Sequence, residues 1–182
     1  MFKSLMTSMA VVALSVAPVS AMTQEERNQH TDLVDALSEV NITISVNEKK
    51  HCFSLTDRYF GFYNPSERLI AICQEKAQDW DGEPIPFTEE DLDTLRHEAH
   101  HLVQDCLDGE IDGRMSPMFS GEDRDEFLSN FPVSKQDSIR ESYGGAGAPP
   151  ELITLEIEAF ATADGVSAGS IANAVRSYCG VR

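Results

Sequence analysis

Positive charge is scarce in this sequence of 182 residues: 14 Lys and Arg stand against 31 Asp and Glu, a formal net charge of −17. A field of that sign repels phosphate, so neither nucleic acid nor an anionic membrane surface is expected as a partner. Long apolar runs are also lacking. The most apolar stretch, Leu5 to Val16, is interrupted by Thr7, Ser8 and Ser15. At about a dozen residues it falls short of the roughly 20 needed to cross a bilayer. The chain has no internal repeat, low-complexity tract or heptad run, which excludes solenoids, collagen-like rods and coiled coils. Cysteines are few (Cys52, Cys73, Cys106 and Cys179) and none forms a CxxC pair, which argues against a cysteine zinc site. Histidines are few too, and none follows His101.

The N-terminus has the three parts of a secretory signal. Lys3 gives a basic start, the apolar stretch follows, and Val19-Ser20-Ala21 supplies small or branched residues for cleavage after Ala21. Residues 1–21 are therefore expected to be removed, leaving 22–182 as a single secreted or periplasmic domain. Lys3 is the only charge lost with them, so the mature chain carries 13 positive and 31 negative residues, or −18. Export makes an even cysteine count read as disulfides.

Along the mature chain, Leu33, Val34 and Leu37 among charges mark a helix over Thr23–Glu39. Ile42, Ile44 and Val46 alternate with polar residues as a half-buried strand, and residues 47–50 form a polar turn. Tyr59–Tyr63 and Arg68–Cys73 read as strands around the turn at 64–67, with the aromatics of the first taken as sheet core. Residues 74–86, around Trp80, form an acidic loop. The best helix follows Thr88, where Leu92, Leu95, Ala99, Leu102, Val103 and Cys106 recur on one face and Gly109 gives a stop. From 110 to 150 no period persists. Residues 115–119 and 127–131 read as short helical turns, and 142–147 as a flexible loop. Helices are expected at Glu151–Ala163 and Ser167–Tyr178. The expected fold class is α+β, a short antiparallel or mixed sheet packed on the central helix with helices at the C-terminus.

Cys52 follows the first strand's turn, and Cys73 ends a later strand of what should be the same sheet. Cys106 lies on the central helix, and Cys179 ends a last helix that must pack on that core. The expected bridges are Cys52–Cys73 and Cys106–Cys179.

The central helix carries His97-Glu98-Ala99-His100-His101, which contains His-Glu-x-x-His. At 100° per residue His97 and His101 are about 40° apart in projection and about 6 Å apart along the axis, so both imidazoles can meet one metal ion. Glu98 is turned about 100° from His97 and can reach a water on that ion. Two neutral imidazoles suit zinc. Gln104 and Leu107 stand where a metzincin needs Gly and His, so that class is excluded. With no later histidine, the third ligand must be a carboxylate, a cysteine or water. Glu156 and Glu158, flanked by Leu155, Ile157, Ala159 and Phe160, are carboxylates in a setting where an unpaired charge is costly.

These segments resemble the gluzincin metallopeptidases, which pair His-Glu-x-x-His on one helix with a glutamate ligand from a second. Glu158-Ala159-Phe160-Ala161 is similar to their third-ligand segment. The chain also resembles short secreted proteins with His-Glu-Ala-x-His-x-x-Gln-Asp-Cys and a later Glu-x-Glu-Ala. The resemblance implies a zincin-like fold and a secreted zinc peptidase acting on peptide or protein substrates. It names His97, His101 and Glu158 as Zn²⁺ ligands, with Glu156 as the alternative, and Glu98 as the catalytic base that activates water. Tyr143 is a candidate oxyanion donor on position alone, and His100 flanks the site. An extended substrate is expected to add to an edge strand, either Ile42–Val46 or Arg68–Cys73. A secreted zinc-binding module without catalysis is the alternative function.

Overall fold

Thr88 opens the central helix. Its hydroxyl accepts the Asp91 N–H, and the Asp91 carboxylate accepts the Thr88 N–H at 2.7 Å, so Asp completes both halves of a capping box. In the computed structural model, which describes residues 22–52, 60–74 and 86–180, this helix is the sixth of ten regular elements. The expected signal segment and the stretch 75–85 around Trp80 lie outside those residues. So does Tyr59.

The order is α1 (Gln24–Glu39), β1 (Thr43–Val46), α2 (Lys49–Cys52), β2 (Gly61–Asn64), β3 (Leu69–Ile72), α3 (Glu89–Asp105), α4 (Gly121–Leu128), α5 (Val133–Gly145), α6 (Pro150–Gly165) and α7 (Ala168–Cys179). The class is α+β. The sheet is mixed, in order β1-β3-β2, with β1 parallel and β2 antiparallel to the central β3. All four residues of β3 are buried, as a strand covered on both edges and faces must be.

The core joins the apolar faces of α1, α3 and α7 to the sheet. Leu33 and Leu37, Leu95 and Leu102, Ile171 and Val175, and Ile70 and Ile72 are almost fully buried in it. α6 packs on the other flank of α3. A second, smaller cluster of Phe131, Ile139, Ile157 and Ala161, with Phe127 and Leu128 packed against it, fastens α5 to α6.

Both expected disulfides are present. Cys52 and Cys73 have Cα atoms 5.4 Å apart, and Cys106 and Cys179 5.1 Å. The first ties α2 to the end of β3. There the Asn47 side chain adds two hydrogen bonds to Gln74, each at 2.9 Å. The second ties the end of the central helix to α7. Among the described residues no helix is long and apolar enough to cross a membrane. Two disulfides fit an oxidising, extracellular setting.

Three expectations are corrected. The polar turn at 47–50 runs into a one-turn helix that carries Cys52 to its partner. The segment 133–145, expected to be irregular and to end in a flexible loop, is helical. Only Gln136 and Ile139 are buried along it, so a helix resting on one neighbour leaves almost no apolar period to read. Finally, β3 is the centre of the sheet and cannot receive a further strand.

Candidate metal centre and cleft

The α3 face opposite the apolar core carries the motif. His97, Glu98, His100 and His101 are all nine-tenths or more buried, because α6 and β2 close over them. Each of His97, Glu98 and His101 offers a ligand atom, and the three atoms lie within 4.8 Å of one another, so this group could hold a metal ion.

The two imidazoles converge through Nε2, 3.1 Å apart. Glu156 on α6 straddles them. Its Oε2 is 3.4 Å from Nε2 of His97 and its Oε1 is 3.5 Å from Nε2 of His101. Burial works to raise the Glu156 carboxyl, but the adjacent His101 and His97 imidazoles outweigh it and hold the group well below the ordinary carboxylate range. His101 moves the other way. Burial opposes its charge, yet Glu156 and Glu98 raise it above the usual histidine value. Oε2 of Glu156, turned toward His97 Nε2, is buried without a hydrogen-bond partner, which fits a carboxylate oxygen able to ligate a metal ion.

Glu158, expected to join the histidine pair, lies elsewhere. It is fully buried, and its Oε1 lies 3.2 Å from His100 Nε2 and accepts the Met118 N–H at 2.8 Å. Burial, opposed by Glu158, lowers the pKa of His100. The physical reason is the helix period. Glu156 and Glu158 are about 200° apart around α6, so one faces α3's histidine pair and the other faces the 110–120 segment. Phe160, one turn after Glu156, lies edge-on to His97 with ring centroids 4.4 Å apart. Ala163 and Asp164, another turn on, line the same cleft.

Partners outside this set fix it. Gln104 Oε1 accepts from His101 Nδ1 at 2.8 Å, while its Nε2 donates to the Leu155 carbonyl at 3.2 Å. Asp105 accepts the Tyr63 hydroxyl at 2.7 Å and the Gly113 N–H at 2.7 Å. In the sequence Gln104 stood out as the residue where a metzincin needs Gly; its role depends on α6.

Glu98 sits where β2 crosses α3. The approach is close: a Cβ on Gly61 would fall 2.5 Å from Thr94 Cγ2 and 2.6 Å from the Ala71 carbonyl oxygen. Only glycine fits there. Cys73 N–H bonds the Phe60 carbonyl at 2.8 Å, so by antiparallel alternation Gly61 and Tyr63 turn their N–H and C=O groups away from β3. The backbone of Tyr63 works to lower the Glu98 pKa. Burial nevertheless dominates and raises the Glu98 pKa.

A cleft of about 750 Å³ opens beside the centre, between α3, α5, α6 and the start of β2. His97, Glu98 and Tyr143 line it, and so does Phe60, which sequence reading put in the sheet core. Burial and the neighbouring Glu156 carboxylate push the Tyr143 hydroxyl pKa up, keeping it a proton donor at neutral pH.

The family described as "Domain of unknown function (DUF8637)" matches residues 22–180. The chain belongs to that family. No curated protein and no solved structure matches it.

Proposed function

We propose that the protein is a secreted zinc-dependent peptidase whose ligands are His97, His101 and Glu156. The observation that carries this reading is the convergence of donors. The two Nε2 atoms lie 3.1 Å apart, and each has its own Glu156 oxygen at 3.4 or 3.5 Å, separations close to the edge, about 3.3–3.4 Å, of a tetrahedron with metal bonds of about 2.0–2.1 Å. Two imidazole nitrogens and one carboxylate are a catalytic rather than a structural zinc set, since three protein ligands leave a position open.

Zinc held there would supply a Lewis acid that lowers the pKa of a water and polarises a carbonyl. The chain's own residues do the rest. Glu98, where β2 crosses α3, takes a proton and returns it to the leaving amine. Its raised pKa suits both halves of that task. Tyr143, protonated and facing the same space, donates a hydrogen bond to the developing oxyanion. β2, antiparallel and at the sheet edge, leaves the Gly61 backbone free to pair with an extended peptide. Phe160 shields His97 from water on the α6 side.

The test is hydrolysis of a peptide library by zinc-loaded protein, wild type against Glu98→Gln. The reading requires cleavage by the wild type and a loss of at least 100-fold in the variant. Equal rates would refute it.

A further inference from the structure

The cleft is longer than the chemistry needs. On α3 it is lined at 90, 93, 94, 97 and 98, a single helical stripe. Asp93 lies about 6 Å along the axis from His97, and Glu90 about 10 Å. The end near the metal centre is apolar. Phe60 and Phe160 line it and remain 48% and 38% exposed, although rings of that size are normally covered. Ile139 adds to the same lining from α5. The far end is acidic. Glu90, Asp93 and Asp164 line it and Glu89 stands behind, against Lys135, paired with Asp164, and Arg96, paired with Asp93. Four carboxylates face two cations, and Glu90 has no cationic partner among the described residues. The excess is felt locally. Burial raises the Asp93 pKa, with Glu89 and Asp164 adding to it against Arg96.

An apolar passage that ends in an excess of carboxylates over cations matches a side chain with an aliphatic stem and a cationic head. We propose that the cleft seats a lysine or arginine side chain of the substrate, its stem against Phe160 and Phe60 and its head among Glu90, Asp93 and Asp164. An acidic side chain is repelled there, and a purely apolar one leaves the carboxylates unsatisfied. The inference rests on the peptidase reading for how the peptide lies, but it is a statement about binding and is tested as one.

The experiment uses the full mature chain carrying Glu98→Gln, so that no peptide is cut. It measures fluorescence anisotropy with three labelled peptides, neutral elsewhere, that differ only in a central lysine, norleucine or glutamate. The lysine peptide should bind at least tenfold tighter than the norleucine peptide, and the glutamate peptide weakest. Adding Glu90→Gln, at an exposed and unpaired position, should cut the lysine preference at least threefold, and Glu90→Lys should abolish it. Glu122→Gln, which removes the same charge from α4 away from the cleft, should leave it unchanged. Three outcomes overturn the inference: no binding of the lysine peptide, norleucine binding as well as lysine, or Glu122→Gln acting as strongly as Glu90→Gln. Lysine preference with no hydrolysis by the wild type would remove the peptidase reading alone. Hydrolysis without lysine preference would remove this inference alone.

Discussion

The side-chain amide of Gln104 bridges the two helices of the candidate centre. Its oxygen takes the Nδ1 proton of His101 at 2.8 Å, and its nitrogen holds the carbonyl of Leu155 at 3.2 Å, one residue before Glu156. The first bond fixes the His101 tautomer that leaves Nε2 bare toward His97 and Glu156. The second fixes the turn of α6 that delivers the carboxylate. Such partners of metal ligands typically contribute 10- to 100-fold in affinity. Gln104→Leu should therefore weaken zinc binding about 10- to 100-fold in a chelator competition titration. Gln104→Glu, which keeps the acceptor for His101, should retain most of it. Unchanged affinity in Gln104→Leu would show that the amide is not needed to orient the site.

A second expectation concerns alkaline stability. Burial, with the hydrogen bond to Asp105, raises the Tyr63 pKa, and burial beside Glu156 raises that of Tyr143. The folded chain thus holds both phenolic protons more tightly than the unfolded chain does. For a raised folded pKa, the stabilisation is fully present below the unfolded value near pH 10 and is lost as pH rises toward the folded one. Each such tyrosine steepens the loss by up to about 1.4 kcal/mol per pH unit above about pH 10. Urea unfolding at pH 9 to 11 should show that decline in wild type and a shallower one in Tyr63→Phe. Parallel curves would mean that Tyr63 ionises freely in the folded state.

The two disulfides should differ in weight. On the chain-entropy account, closing 73 residues through Cys106–Cys179 contributes about 4 kcal/mol, and closing 21 through Cys52–Cys73 about 3 kcal/mol. Replacing each pair with alanine should lower the urea midpoint more for Cys106 and Cys179. The longer bridge also anchors the end of α3 to α7, so its loss should reduce metal affinity. The shorter bridge joins α2 to β3 and should leave metal affinity nearly unchanged.

What the sequence disclosed follows from how much of each element's environment was local. α3 was readable from Thr88 to Gly109 because its cap, its apolar stripe and its stop all lie within the segment. The cysteine pairings were readable because each partner closed an element that had to meet the core. α5 was not, since it rests on α6 through little more than Ile139 and carries no stripe. Which glutamate meets the histidine pair was the hardest choice. Glu156 and Glu158 are both buried and both paired with histidine, and only the rotation of α6 separates them. The clue was the i, i+4 pairing of Glu156 with Phe160, which puts the carboxylate on the stripe that faces the cleft. Phe60 was assigned to the core on strand propensity, but it precedes β2 and lines the cleft instead.

The central claim is that His97, His101 and Glu156 together hold one catalytic zinc ion. It is tested most directly by the zinc content, by elemental mass spectrometry, of protein purified after loading and exhaustive dialysis, comparing wild type, Glu156→Gln and Glu158→Gln. Glutamine at 158 keeps an acceptor for the Met118 N–H and His100, so that variant should fold as the wild type does. The account predicts about one zinc per chain in wild type and in Glu158→Gln, and a marked loss in Glu156→Gln. Zinc retained in Glu156→Gln and lost in Glu158→Gln, or a wild type that holds none, would contradict it.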